Sequence, residues 1–351
     1  MAYKESFQLE KLHHDLIKAA QDWTVSSRFR PEQTGETRCK ALLLNHARYL
    51  SGIPAYQKMA VEEGCGEEVD IQTIKSKLMF TDEIFKSYRQ EWLDRGSFGE
   101  MNRWLSSLFY RPVEMDLQDI NSIDDWIAGL AEAGIMVSYS SGTSGTFSFV
   151  PRDIQDWEKA RTANISYLTP LLTSRKVEPG LSRWLSGSAV KLLSPENLVK
   201  SIKRTGLPGF DGFFLGFRQG RMGNQVLMQE LASIFRRSYF LYNIDLTASA
   251  LRCLQRGPQS ENQQKLLDEL LAEVNGRKKE NYVRLIDRIE ASHRERQRIF
   301  IFGAPYQFKE MCDIMSGLDR KLTLHPQSLI LFGGGWKTFS GDTQNRDSLV
   351  M

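Results

Sequence analysis

The chain has 351 residues, 41% hydrophobic and 25% charged, the balance of a globular protein with one large or two ordinary domains. Its 46 basic and 43 acidic residues leave a net charge of +3, too even to argue for a nucleic acid partner. The four cysteines, Cys39, Cys65, Cys253 and Cys312, form no CxxC or zinc-ligand spacing, and no uninterrupted apolar run approaches the roughly 20 residues of a membrane span.

The N-terminus lacks the charged-then-apolar pattern of a signal peptide, so a soluble, cytoplasmic protein with reduced thiols is expected. Residues 1–130 read as a mainly helical segment. Leu9, Leu12, Leu16 and Ala20 recur at helical spacing, and residues 40–50 continue in that style. His13 and His14 are expected on a solvated helix. Ser122-Ile-Asp-Asp125 starts a helix with a hydroxyl cap and an acid three residues on. That helix turns Trp126, Ile127 and Leu130 inward and ends near Gly134. An α/β region over residues 131–351 follows and is expected to form one continuous large domain with the first segment.

Ile135 to Val137 reads as a short strand that runs into Ser140, Ser141, Gly142, Thr143, Ser144 and Gly145. Thr146 to Val150 alternates as a second strand and stops at Pro151, so the Ser/Gly segment joins strand to strand. Asp153 and Asp156 begin another helix. Residues 205–224 are rich in Gly and Phe. Within them Gly216 to Gly223 reads chiefly as a mobile loop, with acyl-chain or phosphate binding as the other reading. Phe213, Phe214 and Phe217 read as core, or as the lining of an acyl pocket.

Helices are expected to resume after residue 224. Ser260 and Gln263 form a capping box for Leu266, Leu267, Leu270, Leu271 and Val274, ended by Asn275-Gly276. Tyr282, Leu285, Ile286, Ile289 and His293 then share a face. The eight basic and four acidic residues from Arg277 to Arg298 mark a solvated helical face, or else a partner surface. Arg298–Phe302 is a strand, Gly303–Pro305 a turn, Tyr306–Met315 a helix and Ser328–Phe332 a strand. This order predicts a parallel βαβ unit whose ligand edge is the carboxyl end of its strands.

Two segments have the residue types of a ligand site. In Ser140–Gly145, hydroxyls hinged by two glycines let N–H and O–H groups converge on phosphate oxygens; a polar surface turn has the same composition. It is no Walker loop, since GxxxxGK[ST] is absent and the segment leads into a strand. In Gly333-Gly-Gly-Trp-Lys337, flat backbone can lie against a planar ring, Trp336 can stack and Lys337 can reach an anion. A strand-ending turn with a buried Trp fits equally.

Tyr139-Ser-Ser-Gly-Thr-Ser-Gly145 resembles the phosphate-binding motif of the adenylate-forming superfamily, which includes acyl-CoA synthetases and phenylacetate-CoA ligases. Many members carry a lysine shortly after it; this chain has Ser148, similar to the acyl-protein synthetase (long-chain fatty acid–luciferin-component ligase) branch. Leu329-Ile-Leu-Phe-Gly-Gly-Gly-Trp-Lys337 resembles that branch's own signature, and Leu78 to Lys86 is similar to its N-terminal segment. The resemblance runs loosely from about residue 40 to residue 340. It implies the large N-terminal domain of an adenylate-forming enzyme, without the small C-terminal domain. It also implies ATP and Mg²⁺ as cofactors, a carboxylic, fatty acid as substrate, and a thiol as acyl acceptor. Thr143 and Ser144 would then hold the β- and γ-phosphates as the catalytic pair. Ser140, Ser141, Gly142 and Gly145 would complete the phosphate loop. Gly333, Gly334 and Gly335 would form an adenine wall beside Trp336 and Lys337.

The resemblance also implies later motifs: Tyr-Gly-x-Thr-Glu, a ribose-binding Asp, a catalytic Lys and an acyl-accepting Cys. Only fourteen residues follow Lys337, and none forms such a motif. The alternative expectation is therefore a non-catalytic or split-chain subunit. It would bind nucleotide, an acyl-donor or acyl-acceptor protein, or a chain carrying the missing motifs.

Overall fold

A computed structural model describes residues 2–26, 31–81, 83–140, 146–172 and 206–333. The fold is α/β, and its described residues divide into two compact units, one over 2–172 and the other over 206–333.

The first unit contains α1 (Ala2–Ser26), α2 (Gly35–Gly52), α3 (Pro54–Glu62), α4 (Ile71–Lys77), α5 (Gln90–Asp94), α6 (Phe98–Ser107) and α7 (Ile123–Glu132). It continues through β1 (Ile135–Tyr139), β2 (Phe149–Asp153) and α8 (Ile154–Leu172). Helix α7 begins as its sequence requires. The Ser122 hydroxyl accepts the Asp125 amide at 3.1 Å, and the chain leaves at Gly134 with φ 76°. Trp126, Ile127 and Leu130 are buried, and the indole N–H of Trp126 donates to Oδ1 of the buried Asn102 side chain at 2.7 Å.

Strands β1 and β2 pair antiparallel, Val137 opposite Pro151 and Tyr139 opposite Phe149. The second strand thus lies three residues later than its alternation suggests and continues through Pro151. A two-stranded ribbon engages one edge of each strand, so a proline whose nitrogen lies on the other edge costs no ladder bond. The rings of Phe147 and Phe149 are fully buried, and Phe149 packs against Tyr88, Trp104 and Trp126. This aromatic cluster joins the helices to the ribbon.

The second unit is a parallel sheet: β3 (Leu207–Gly220), β4 (Phe235–Leu246), β5 (Arg298–Gly303) and β6 (Leu329–Phe332), in the order β4-β3-β5-β6. Helix α9 (Gly223–Ala232) links β3 to β4. Helices α10 (Ala248–Arg256) and α11 (Glu261–Leu271), a π turn over Ala272–Gly276, and α12 (Lys278–Arg294) lead from β4 to β5. Helix α13 (Pro305–Gly317) completes the expected β5–α13–β6 unit. Ser260 caps α11 as expected, its hydroxyl accepting the Gln263 amide at 3.3 Å.

Of Gly216–Gly223, expected as a mobile loop, residues 216–220 are instead the end of the inner strand β3, and Gly223 opens α9. Phe213 and Phe214 are fully buried on its opposite faces, as core. Phe213 and Leu215 pack with Ile299 and Ile301 against Tyr282, Leu285, Ile286 and Ile289 of α12. Phe214 faces Phe240 and Phe300 on the other side. The glycines that suggested a loop serve close approach: a β-carbon on Gly212 would meet the Phe235 ring at 2.6 Å, and one on Gly216 would meet the Met228 sulfur at 2.6 Å.

Strand β4 also replaces expected helix. Arg237 in it is absorbed by pairing: it grips the buried Asp211 carboxylate through two bonds (2.9 and 2.6 Å) and reaches Glu295 at 2.6 Å. The basic stretch 277–298 is likewise only partly a solvated face. Arg284 donates to the Leu241 carbonyl at 2.7 Å, and the Arg298 guanidinium lies 4.1 Å from the centre of the Phe210 ring. Among the described residues no helix is long and apolar enough to cross a membrane.

Candidate functional site

Each unit holds one of the two glycine-bearing segments, and each is anchored differently. In the first unit the described flanks of the Ser/Gly segment close on one another. The Ser140 amide donates to the Ser148 carbonyl at 3.1 Å, and the Ser148 amide donates back to the Ser140 hydroxyl oxygen at 3.0 Å. The Tyr88 hydroxyl, buried between the Trp104 and Phe149 rings, donates to the Phe147 carbonyl at 3.1 Å. Ser148 is itself buried, so the position after the motif holds a packed residue of the ribbon. Of the six residues expected to cradle phosphate, Ser140 lies here at the end of β1, while Ser141, Gly142, Thr143, Ser144 and Gly145 lie outside the described residues.

In the second unit the carboxyl ends of β3, β5 and β6 form one edge. Strand β3 leads through α9 to β4 on one side, whereas β5 leads through α13 to β6 on the other. The chain therefore diverges between β3 and β5, which is where open parallel sheets bind ligands. Gly333 leaves β6 at this edge, its amide donating to the Gly303 carbonyl at 3.0 Å. A β-carbon on Gly333 would lie 2.6 Å from the Phe302 ring, so packing alone explains why that position is small. Gly334, Gly335, Trp336 and Lys337 lie outside the described residues. Strand β1 belongs to the two-stranded ribbon and β6 to the parallel sheet.

A polar group that periodicity did not single out lies at the same edge. Helix α12 begins and α13 begins there, and the Tyr282 hydroxyl joins them, donating to the Glu310 carboxylate at 2.9 Å and approaching the Gln307 carbonyl at 3.2 Å. Lys278 pairs with the same carboxylate. Burial, and then the negative charge of Glu310, holds the Tyr282 and Tyr242 hydroxyls protonated far above the ordinary tyrosine range. The Tyr282 hydroxyl serves as a donor here. The π turn ahead of α12 is held by Asn281, whose side-chain amide donates to the Glu273 carbonyl and carboxylate, both at 3.1 Å. The group fixes the first turns of α12 and α13 at the ligand edge. Its sequence signal was weak, because Tyr282 shares the apolar stripe of α12 and Glu310 sits in an ordinary polar helix position.

No family model, no curated protein and no solved structure matches the chain. Chemical assignment therefore rests on these two segments. No group of three or more His, Cys, Asp or Glu side chains among the described residues could hold a metal ion.

Proposed function

We propose that the chain belongs to the adenylate-forming class and activates a carboxylic acid, fatty in kind, with ATP for transfer to a protein or small-molecule thiol. The observation that carries this reading is the course of the chain at β6: a short apolar strand ends at the carboxyl edge of the sheet, and Gly333, the first of three glycines in sequence, leaves it there. The closed ribbon around Ser140 and Ser148 supports the phosphate-loop half of the reading, since it brings together the two ends of a hydroxyl-rich segment.

The chemistry asks the protein to hold a flexible triphosphate while a carboxylate oxygen attacks the α-phosphorus and pyrophosphate leaves. Donors aimed beforehand at the phosphate oxygens lower that barrier. Thr143 and Ser144 would supply hydroxyl and amide donors, with Gly142 and Gly145 permitting close approach. Because Phe302 already accounts for Gly333, Gly334 and Gly335 would carry the adenine wall, with Trp336 available to stack and Lys337 to meet an anion. ATP with Mg²⁺ would supply the leaving group and the charge neutralisation.

Gly334→Val tests the wall against a mere turn. The reading expects at least a tenfold loss of ATP affinity, with an unchanged denaturation midpoint. A loss of stability with unaltered ATP affinity would exclude it. Acid-dependent exchange of pyrophosphate into ATP separates the enzyme from a subunit that only binds nucleotide.

A further inference from the structure

We propose that the amino edge of the parallel sheet, where β3, β4 and β5 begin, is a docking surface for an acidic protein segment, held by Arg236, Arg294 and Arg296. The proposal is independent of the nucleotide reading. It starts from the basic run 277–298, whose sequence allowed a solvated face or a partner surface. Most of that run is committed to the fold. Arg277 pairs with Glu273 and Lys278 with Glu310, and Arg284 donates to the Leu241 carbonyl. The Arg288 and Arg298 guanidinium groups lie over the Tyr239 and Phe210 rings. Lys279, Arg294 and Arg296 remain exposed, and the two arginines lie together where α12 ends and β5 begins.

Strand β4 adds to this edge. The Arg237–Glu295 pair at 2.6 Å ties the start of β4 to the end of α12, so the segment bearing Arg236 meets the one bearing Arg294 and Arg296. All three side chains are exposed, and none has an ion-pair partner among the described residues. Arginines 236, 237, 294, 296 and 298 thus stand beside only two carboxylates, Asp211 and Glu295. Farther along α12, Asp287 and Glu290 are taken up by Arg320. The dipole of α12 favours cations at its carboxyl end, but that does not account for Arg236 on β4. Arg296 also holds φ 58°, just past the helix end, where glycine is the unstrained choice, so a charge is kept there against the backbone's preference. Arginine forks match carboxylates two bonds at a time. The rings at this edge, Phe210 and Phe235, are buried, so they offer neither a platform for stacking bases nor an anchor for a membrane. Charge without exposed aromatic surface favours the carboxylates of a protein.

The test titrates the full chain into a labelled oligoglutamate peptide, beside a DNA oligonucleotide of equal charge and vesicles of phosphatidylserine in phosphatidylcholine. The unmodified chain should bind oligoglutamate, and more weakly as salt is raised. Arg236→Gln/Arg294→Gln/Arg296→Gln should weaken that binding about tenfold, at about two- to threefold for each exposed charge. Lys75→Gln/Lys265→Gln/Lys279→Gln makes the same change of net charge at exposed sites elsewhere and should cost less than about twofold. Arg296→Gly, which suits the backbone at φ 58°, should hold or raise the melting temperature and still lower affinity. Equal losses in the arginine and lysine variants would mean attraction by net charge alone and would overturn the proposal. So would an absence of oligoglutamate binding, or tighter arginine-dependent binding of the DNA or the vesicles.

Discussion

The Ser/Gly segment at 140–145 and the Gly/Phe stretch at 205–224 look alike in composition, yet the described residues in and around them are held differently. Gly212 and Gly216 sit inside a fourteen-residue strand, and each is small because a neighbouring side chain occupies the space a β-carbon would need. Around the Ser/Gly segment the described contacts are instead hydrogen bonds that close its ends. Glycine inside a fully buried strand records packing from above and below. Neighbouring bulk separates the cases, because Phe213, Phe214 and Leu215 flank the packing glycines whereas serines and a threonine flank the others.

The sharpest way to break this comparison is to remove the keystone of each region. Trp126→Ala should destabilise the first unit by about 3–5 kcal/mol, since it empties a fully buried site under Phe149 and strips Asn102 of its donor. Chemical denaturation followed by hydrogen exchange at β1 and β2 checks this, and a loss below ~1 kcal/mol would contradict the keystone role. Gly216→Val should cost about 1–3 kcal/mol by driving β3 and α9 apart at Met228. Gly99→Ala, whose new methyl would meet only the Leu117 side chain at 3.6 Å, should be nearly neutral or mildly stabilising. Equal effects at positions 216 and 99 would refute the close-approach account.

Tyr282→Phe should cost about 1 kcal/mol by removing the donor between α12 and α13 while keeping the ring in the core. Denaturation midpoints read it directly. The smallest effect belongs to His13. Burial, then Lys159, lowers its pKa below the ordinary 6.5, against the opposing pull of Glu10 and Asp156, with Arg48 adding to the lowering. The unfolded chain therefore takes up this proton first as pH falls through 6.5, so this contribution falls towards acid pH and is fully present only above 6.5. His13→Asn should flatten that part of the stability-versus-pH curve, and an unchanged slope would show that other groups set it.

Much of the local structure was legible because single residues carried its cause. Ser122 and Ser260 announced their helices through caps, and the order of apolar runs from Arg298 to Phe332 gave the parallel βαβ unit. Strands β3 and β4 were hidden for a non-local reason. Gly212, Gly216, Arg237 and Asp245 argue against strand locally, and become acceptable only once Phe235, Met228 and Asp211 are brought to them by the fold. The candidate site divides the same way. Its glycines and hydroxyls stand out in sequence, whereas Tyr88 and Glu310 acquire their roles from partners 59 and 28 residues distant.

The most direct test of the nucleotide reading is the melting temperature of the chain with Mg·ATP, beside that of Thr143→Ala/Ser144→Ala. At about a hundred times the dissociation constant, binding to the folded state alone adds ~2.7 kcal/mol, enough to raise the transition by several degrees. The account predicts that rise in the unmodified chain and its loss in the double variant. A rise of equal size in both would contradict the assignment of ATP to the Ser/Gly segment.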